Sequence, residues 1–586
     1  MVSALGGNPQ AYLHSFHLPK AFETRLELQL GLLDSALNFA MSDKKAFGEP
    51  VAAAAVATKD LDVGEVFSQS QRAEDGQYQR TISSRQIHVM SLGGQIGAGI
   101  FISSGKNLRD GGPATLLLAF ATVCTCVWAM LQSVSEMTIA FPVSGNYIDF
   151  ADRFVDPALG FAGGFSMWLG WTAIVASEAT FFSVLVNYWA QDRVHEAVWF
   201  SLFLICIFII FALPTSVFAW FEYATAVLKV FALIIFIIVA FALVLGAGPD
   251  GYVHRGETWQ DGLAFRNGFK GYGNSVLLAI LAIGDNSFTG FIAGEAVSPR
   301  YSVAHAVKLI PARVTGFYLV SMMFIGLLVP ANSDRLLGAS GVAASPFVIS
   351  IDEAGIKGLP DLLNVVIMFA VISIGAESVY VASRILRAMS HQRLIPRWIA
   401  RVDRRGRPRT ALAITLGVAI ALTYCNLSAG GIEVFNWLAQ ISTTGYFCVW
   451  IVVGITSLRF GAALKAQNDP LFRESYAWKC VFWPFPPIWL LICCTLYTGC
   501  SVYLALYPIG AEVLSAYSFF QYMIGLLLII CTGLGYKIIF RTELRDLAAV
   551  DLKTGRRPLG VEEIKMLDEY YALPPWRRFW AYVKLW

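Results

Sequence analysis

Downstream of Arg85 the chain carries about twelve apolar runs, each close to the roughly 20 residues that a helix needs to cross the hydrocarbon core of a bilayer. They fall at about 86–106, 114–140, 157–189, 198–219, 223–246, 275–296, 313–330, 361–388, 410–427, 433–458, 486–506 and 519–540. Inside lipid every backbone N–H and C=O must be satisfied within the protein, and runs of this length meet that demand as helices. The expected fold class is therefore an all-α polytopic membrane protein. An even number of spans puts both ends of the chain on one side.

Composition agrees with lipid as the solvent: 56% of the residues are hydrophobic, 15% are charged and the mean hydropathy is +0.58. The 44 basic and 41 acidic residues leave a formal charge of +3, which implies no nucleic-acid partner. Most of the ten cysteines (Cys124, Cys126, Cys206, Cys448, Cys493, Cys494 and Cys531 among them) sit inside apolar runs without metal-ligand spacing, so they read as packing residues, with no metal site expected.

Residues 1–84 hold no run long enough to span, and Glu23, Glu27, Asp34, Lys44 and Lys45 interrupt what hydrophobicity there is. They are expected to form a largely disordered tail, with no cleavable signal at the Met1 end. A transmembrane domain follows over 85–541, and a second tail over 542–586. Arg393, Arg397, Arg401, Arg404, Arg405, Arg407 and Arg409 crowd the connection after the eighth run. The same side by parity carries Arg300, Lys308, Arg459, Lys465, Arg473 and Lys479, so it is expected to be cytoplasmic, and both tails with it.

Two runs are broken where chemistry can sit. The first reads "SLGGQIGAGIF", with Gly93, Gly94, Gly97 and Gly99 placed so closely that a continuous helix would lose several kcal/mol, at roughly 1 per glycine. Backbone freed at a break inside a membrane lines a cavity, and a half-helix beginning after Gly99 would aim its positive dipole end at an anion. The alternative is close helix packing through small residues. The sixth run, "AIGDNSFTGFIAGEA", puts Ile283, Gly284, Asp285, Asn286 and Ser287 at bilayer depth, five runs later. Paired breaks at that offset point to a five-plus-five inverted repeat with its site at the midplane. The candidate substrate site is Gly94, Gln95, Ile96, Gly97, Ala98 and Gly99 together with those five residues.

Ionisable residues within spans are costly unless they face a cavity or a partner. The candidates are Glu136, Glu178, Lys229, Asp285 and Glu377. Glu222 and Glu295 fall near the ends of runs, where interfacial contacts are the expected role. An ammonium group within a span is expensive to desolvate, so Lys229 can switch charge and is the first candidate to carry a coupling proton, followed by Glu136 and Glu178. No enzyme motif appears: "HEAVW" at His195 lacks the second histidine of a zinc protease, and there is no phosphate loop.

Ordered motifs from 85 to about 557 resemble the fungal amino-acid permeases of the amino acid–polyamine–organocation superfamily. They include "HVMSLGGQIGAGIF", "FPVSGNYIDFADRFVDPALGFAGG", "GFKGYG", "AGEAVSPR", "ASPFVISIDEAGIK", "FNWLAQIST" and "DLKTGRR". The resemblance implies a leucine-transporter-type fold with two extra helices and proton-coupled uptake of L-amino acids at the plasma membrane. It implies no cofactor besides the coupling proton, and trafficking or signalling partners at the cytoplasmic tails. By the same resemblance the substrate carboxylate meets the backbone of Gly94 to Gly99, its ammonium meets carbonyls of the sixth-span break, and Glu222 and Lys229 match a fifth-span motif. The chain departs from relatives at Gln95 and Ala98, at Asp285, Asn286 and Ser287, and at "IGAESVY" in the eighth run. Those departures leave a second reading open, a non-transporting amino-acid sensor on the same scaffold.

Overall fold

The computed structural model describes residues 96–583, apart from position 98 and the segments 143–144, 192, 214, 249–250, 285–298, 337–344, 404–406, 428–430, 474–475, 511–514 and 557–560. Gly94, Gln95, Ala98, Asp285, Asn286, Ser287 and Glu295, and the expectations for residues 1–84, lie outside the described residues.

A π-helical segment, Gly99–Ser103, opens the described part and runs into α1 (Ser104–Gly111). The helices that follow are α2 (Pro113–Ala140), α3 (Tyr147–Phe154), α4 (Pro157–Ala190), α5 (Glu196–Ala212), α6 (Thr215–Val244), α7 (Gly268–Ile283) and α8 (Pro299–Leu328). Then come α9 (Pro346–Glu353), α10 (Leu359–His391), α11 (Arg409–Cys425), α12 (Gly431–Ala466), α13 (Phe485–Leu506) and α14 (Ala516–Phe540). Two short helices, α15 (Val561–Ala572) and α16 (Pro575–Val583), close the described part. No strand occurs among the described residues. Among the described residues, eight helices are long and apolar enough to span, and α5, α7 and α11 are shorter apolar helices. Large apolar side chains such as Phe208, Phe231, Ile238 and Ile538 point outward, as a lipid-facing surface requires.

Local sequence explains where the helices begin. Asp156 caps α4, its Oδ1 accepting the Ala158 amide at 2.8 Å, with Pro157 in the first turn where its missing N–H is harmless. The boundary expected between 219 and 223 lies instead at Leu213, which is extended ahead of Pro214, and α6 begins at Thr215. Proline restricts its predecessor to extended backbone and donates no hydrogen bond, so the chain turns there despite unbroken apolarity. The first run continues to Gly111, past the expected end at 106, and α7 starts seven residues before the expected 275. Cys531, expected to pack inside, is exposed on α14.

Pairing within the bundle follows an offset of five spans. The first span (the π-helical segment and α1) packs on the sixth (α7), the second (α2) on the seventh (α8), the third (α4) on the eighth (α10) and the fourth (α5) on the ninth (α11). A repeat of five spans accounts for these four pairs, while the fifth span (α6) packs on α8 and α10. α4 lies at the centre, against both α10 and α12. Small residues let α4 and α12 approach: Ser442 Oγ donates to the Gly170 carbonyl at 2.9 Å, and a methyl on Gly445 would stand 3.1 Å from the Ser166 carbonyl.

The segment after α14 is strapped across the ends of α3 and α12. Arg545 donates to Asp152 at 2.9 Å, Arg556 pairs with Asp469 at 3.0 Å, and Gln467 donates to the carbonyls of Leu547 and Val550. Val550 and Leu552 are buried with Phe150, Phe154 and Phe460. Asp156 joins this strap to α4, since it also accepts from Thr542 Oγ1 at 2.7 Å and pairs with Lys537. Desolvation raises the Asp156 pKa, but the bonds from Lys537, Thr542 and Ala158 outweigh it and hold the carboxyl below its ordinary 3.8. A depressed carboxylate pKa adds stability that is complete above the ordinary value and disappears as pH falls through the folded one. Asp156→Ala is therefore expected to cost about 1–2 kcal/mol at neutral pH. Thermal melts of the purified protein should show the gap to the parent closing as pH falls below 3.8.

Candidate functional site

Helix breaks set the site. Gly97 lies in a bend, and the first described helical segment begins at Gly99, in π form, with the Phe101 amide bonded to the Gly97 carbonyl at 3.2 Å. Single π turns inside spans loosen the regular ladder and recur at functional positions. On the opposite side α7 ends at Ile283, and Gly284 adopts φ 70°, where a residue with a Cβ is strained. The two breaks are pressed together, because a Cβ on Gly99 would stand 2.6 Å from the Ala282 Cα. The small-residue packing weighed from sequence thus applies to Gly99. Gly97 meets a side chain: its added Cβ would lie 2.4 Å from Ile374 Cγ1 on α10.

A cavity of about 450 Å³, its open mouth included, lies between these breaks, lined by Gly97, Gly99 and Gly284 together with side chains from α4, α10 and α12. From α4 come Trp171, Ile174, Ser177, Glu178 and Phe181, Ile374 comes from α10, and Tyr446 from α12. Trp171 and Tyr446 meet edge to face at 5.7 Å. Glu178 is 4% exposed, and its Oε2 has no hydrogen-bond partner among the described residues. A buried carboxylate oxygen left open at a cavity wall is a place for a donor from a ligand, since burial without one is expensive.

Behind Glu178 lies a charged cluster between α6 and α10. Lys229 Nζ donates to Ser373 Oγ at 2.9 Å and stands 3.8 Å from Glu222 Oε1, both side chains fully buried. Ser373 in turn donates to the Glu222 carboxylate, 2.9 Å from each oxygen, and accepts from Thr225 Oγ1 at 2.9 Å. Glu377, one turn beyond Ser373, is buried and within electrostatic reach of Glu222 and Lys229. Lys229 also lies within electrostatic reach of Glu178, which links the cluster to the cavity. The interfacial role expected for Glu222 is overturned. The early start of α6 carries that residue two turns into the helix, and its carboxylate there holds Ser373 and Lys229.

The structure thus brings Gly97, Gly99, Gly284, Glu178 and Lys229 together and packs Ile96 and Ile283 in the core beside them. Glu136 stands apart, its carboxylate accepting the Cys480 amide at 2.8 Å in the connection between α12 and α13. Sequence reasoning missed Trp171, Ile174, Phe181, Ile374 and Tyr446. Apolar residues on a span carry no mark that separates a cavity wall from a lipid-facing stripe.

A family model described as "Amino acid permease" matches residues 86–549. The general amino-acid permease GAP1 of Saccharomyces cerevisiae is 34% identical over 516 residues, 86% of this chain and 85% of the relative. The histidine permease of the same yeast is 30% identical over 538 residues, 88% of each chain. The S-adenosylmethionine permease GAP4 of Candida albicans is 32% identical over 496 residues, 83% of this chain and 80% of the relative. These relatives are named as transporters and not as enzymes. With a match over most of its length, the chain belongs to the amino acid permease family and is a multi-pass membrane protein.

Proposed function

We propose that the protein imports L-amino acids across the plasma membrane, coupled to protons, by alternating access, with both tails in the cytoplasm. The observation that carries this reading is the juxtaposition of the cavity at the paired breaks with the buried Lys229 cluster, joined through Glu178. Amides at the Gly97 break suit a carboxylate, and the end of α7 at Gly284 presents carbonyls to an ammonium group. The relatives' names support amino acids as the cargo class. Gln95, Ala98, Asp285, Asn286 and Ser287 complete the proposed site by their places in the two breaks.

For coupling, three carboxylates (Glu178, Glu222 and Glu377) stand within electrostatic reach of one ammonium group, so the number of protons held sets the net charge of a cluster that cannot be hydrated cheaply. A proton entering from one side favours one arrangement of α6 against α10, and its loss favours the other. That difference is what a gradient needs to bias alternating access. Lys229 is the proposed coupling residue, with Glu178 relaying to the substrate. The sensor reading draws on the changed residues of the breaks, and it predicts binding without accumulation.

Liposome experiments separate these readings. Lys229→Met should preserve part of substrate exchange and abolish accumulation driven by a proton gradient; concentrative uptake by the variant would remove Lys229 from the mechanism. Gly97→Ala should weaken amino-acid binding about tenfold or more, the usual scale of an overpacked contact, with surface expression kept. Pairing it with Ile374→Ala should restore much of the loss. The same second change should not rescue Gly99→Ala, because the obstacle there is the Ala282 backbone.

A further inference from the structure

We infer that α16 lies on the bilayer as an interfacial helix that prefers anionic lipid. Its sequence, PWRRFWAYV, carries two arginines and no acidic residue, and Lys584 follows it. Trp576 and Trp580 are one turn apart, hence on one face, and are 61% and 55% exposed. Arg577 stacks on Trp576 at 5.1 Å and is exposed, so charge flanks the aromatic face. Tryptophan beside arginine is the composition of helices that sit at the headgroup level, with rings at the acyl boundary and guanidinium groups among phosphates.

The position of α16 along the chain favours lipid as the occupant. α15 is anchored by buried Leu567 and Tyr570, and Tyr571 stacks on Tyr476 at 5.6 Å, while Tyr476 donates to Asp568. Tyr476 lies in the connection just ahead of α13, where exposed Val481, Phe482 and Phe485 mark entry into the bilayer. Arg578 donates to the Leu573 carbonyl at 2.6 Å and stacks on Tyr571, fixing the corner between α15 and α16. A helix held this close to the membrane by its own chain binds the surface intramolecularly, which makes a modest affinity sufficient. The last residues are then a surface-laid element joined to the strap on α3 and α12. This inference does not depend on the transport proposal.

Hydrogen exchange of the full chain tests it in nanodiscs of phosphatidylcholine alone and of phosphatidylcholine with about one-third phosphatidylserine. Amides of 575–583 should exchange about thirtyfold more slowly with the anionic lipid, the factor that two basic side chains supply near such a surface. Trp576→Ser with Trp580→Ser should remove that protection, as should Arg577→Glu, while exchange of 561–572 stays at the parental rate and reports that the tail remains folded. Equal exchange of 575–583 in the two nanodiscs overturns the proposal, and that comparison needs no variant. Protection that survives the double tryptophan change also overturns it, and places α16 against protein.

Discussion

The contact between Gly99 and the backbone of Ala282 governs the centre of the molecule. In a membrane, helix association gains little from the hydrophobic effect, so close approach of backbones and the satisfaction of polar groups decide which helices meet. The first and sixth spans meet backbone to backbone, and beside that contact Gly97 lies in a bend and α7 ends at Gly284. The second, third and fourth spans then pack on the seventh, eighth and ninth around it, with α4 at the centre against α10 and α12. A cavity at the breaks is the consequence of packing two imperfect helices on one another. Regular helices at both positions would leave no polar backbone to receive a ligand.

Charge is buried beside that cavity because α6 begins early. α5 gives way to extended backbone at Leu213 and α6 begins at Thr215, so Glu222 and Lys229 both sit well inside the helix, on the side that faces Ser373 and Glu377 of α10. Ser373 is the hinge of this network, giving its one proton to Glu222 while accepting from Lys229 and Thr225. Unpaired ions at this depth are disfavoured strongly enough that such a cluster persists only with its partners present. In the proposed cycle this network reads the proton, and Glu178 carries its state to the cavity.

Much of the fold was legible because span length and glycine content are direct consequences of bilayer thickness and backbone freedom. The apolar runs, the break near Gly97 and Gly99 and its partner at Gly284 could all be read that way. Boundaries were harder. An apolar count cannot see that Pro214 ends α5, nor that α7 begins at Gly268 with Tyr272 and Asn274 still inside it. The helices α3, α9, α15 and α16 are too short for a search based on span length, and the strap over α3 is a tertiary feature of widely separated arginines and aspartates. At the site, ionisable residues announced themselves by their cost in lipid, as Glu178 and Lys229 did. Trp171, Ile374 and Tyr446 did not, because only the fold decides which apolar face meets the cavity. Glu136 satisfied the same cost argument, yet its partner is a loop amide.

The most direct measurement is a cryo-electron microscopy structure of the full chain in nanodiscs, saturated with the amino acid that competes best in uptake assays. Ligand density is expected between Gly97 and Gly284, its carboxylate on the backbone of the first break and its side chain toward Trp171 and Tyr446, with Glu178 in contact. Density at any other place in the bundle, with this cavity closed, would contradict the assignment of the paired breaks as the substrate site.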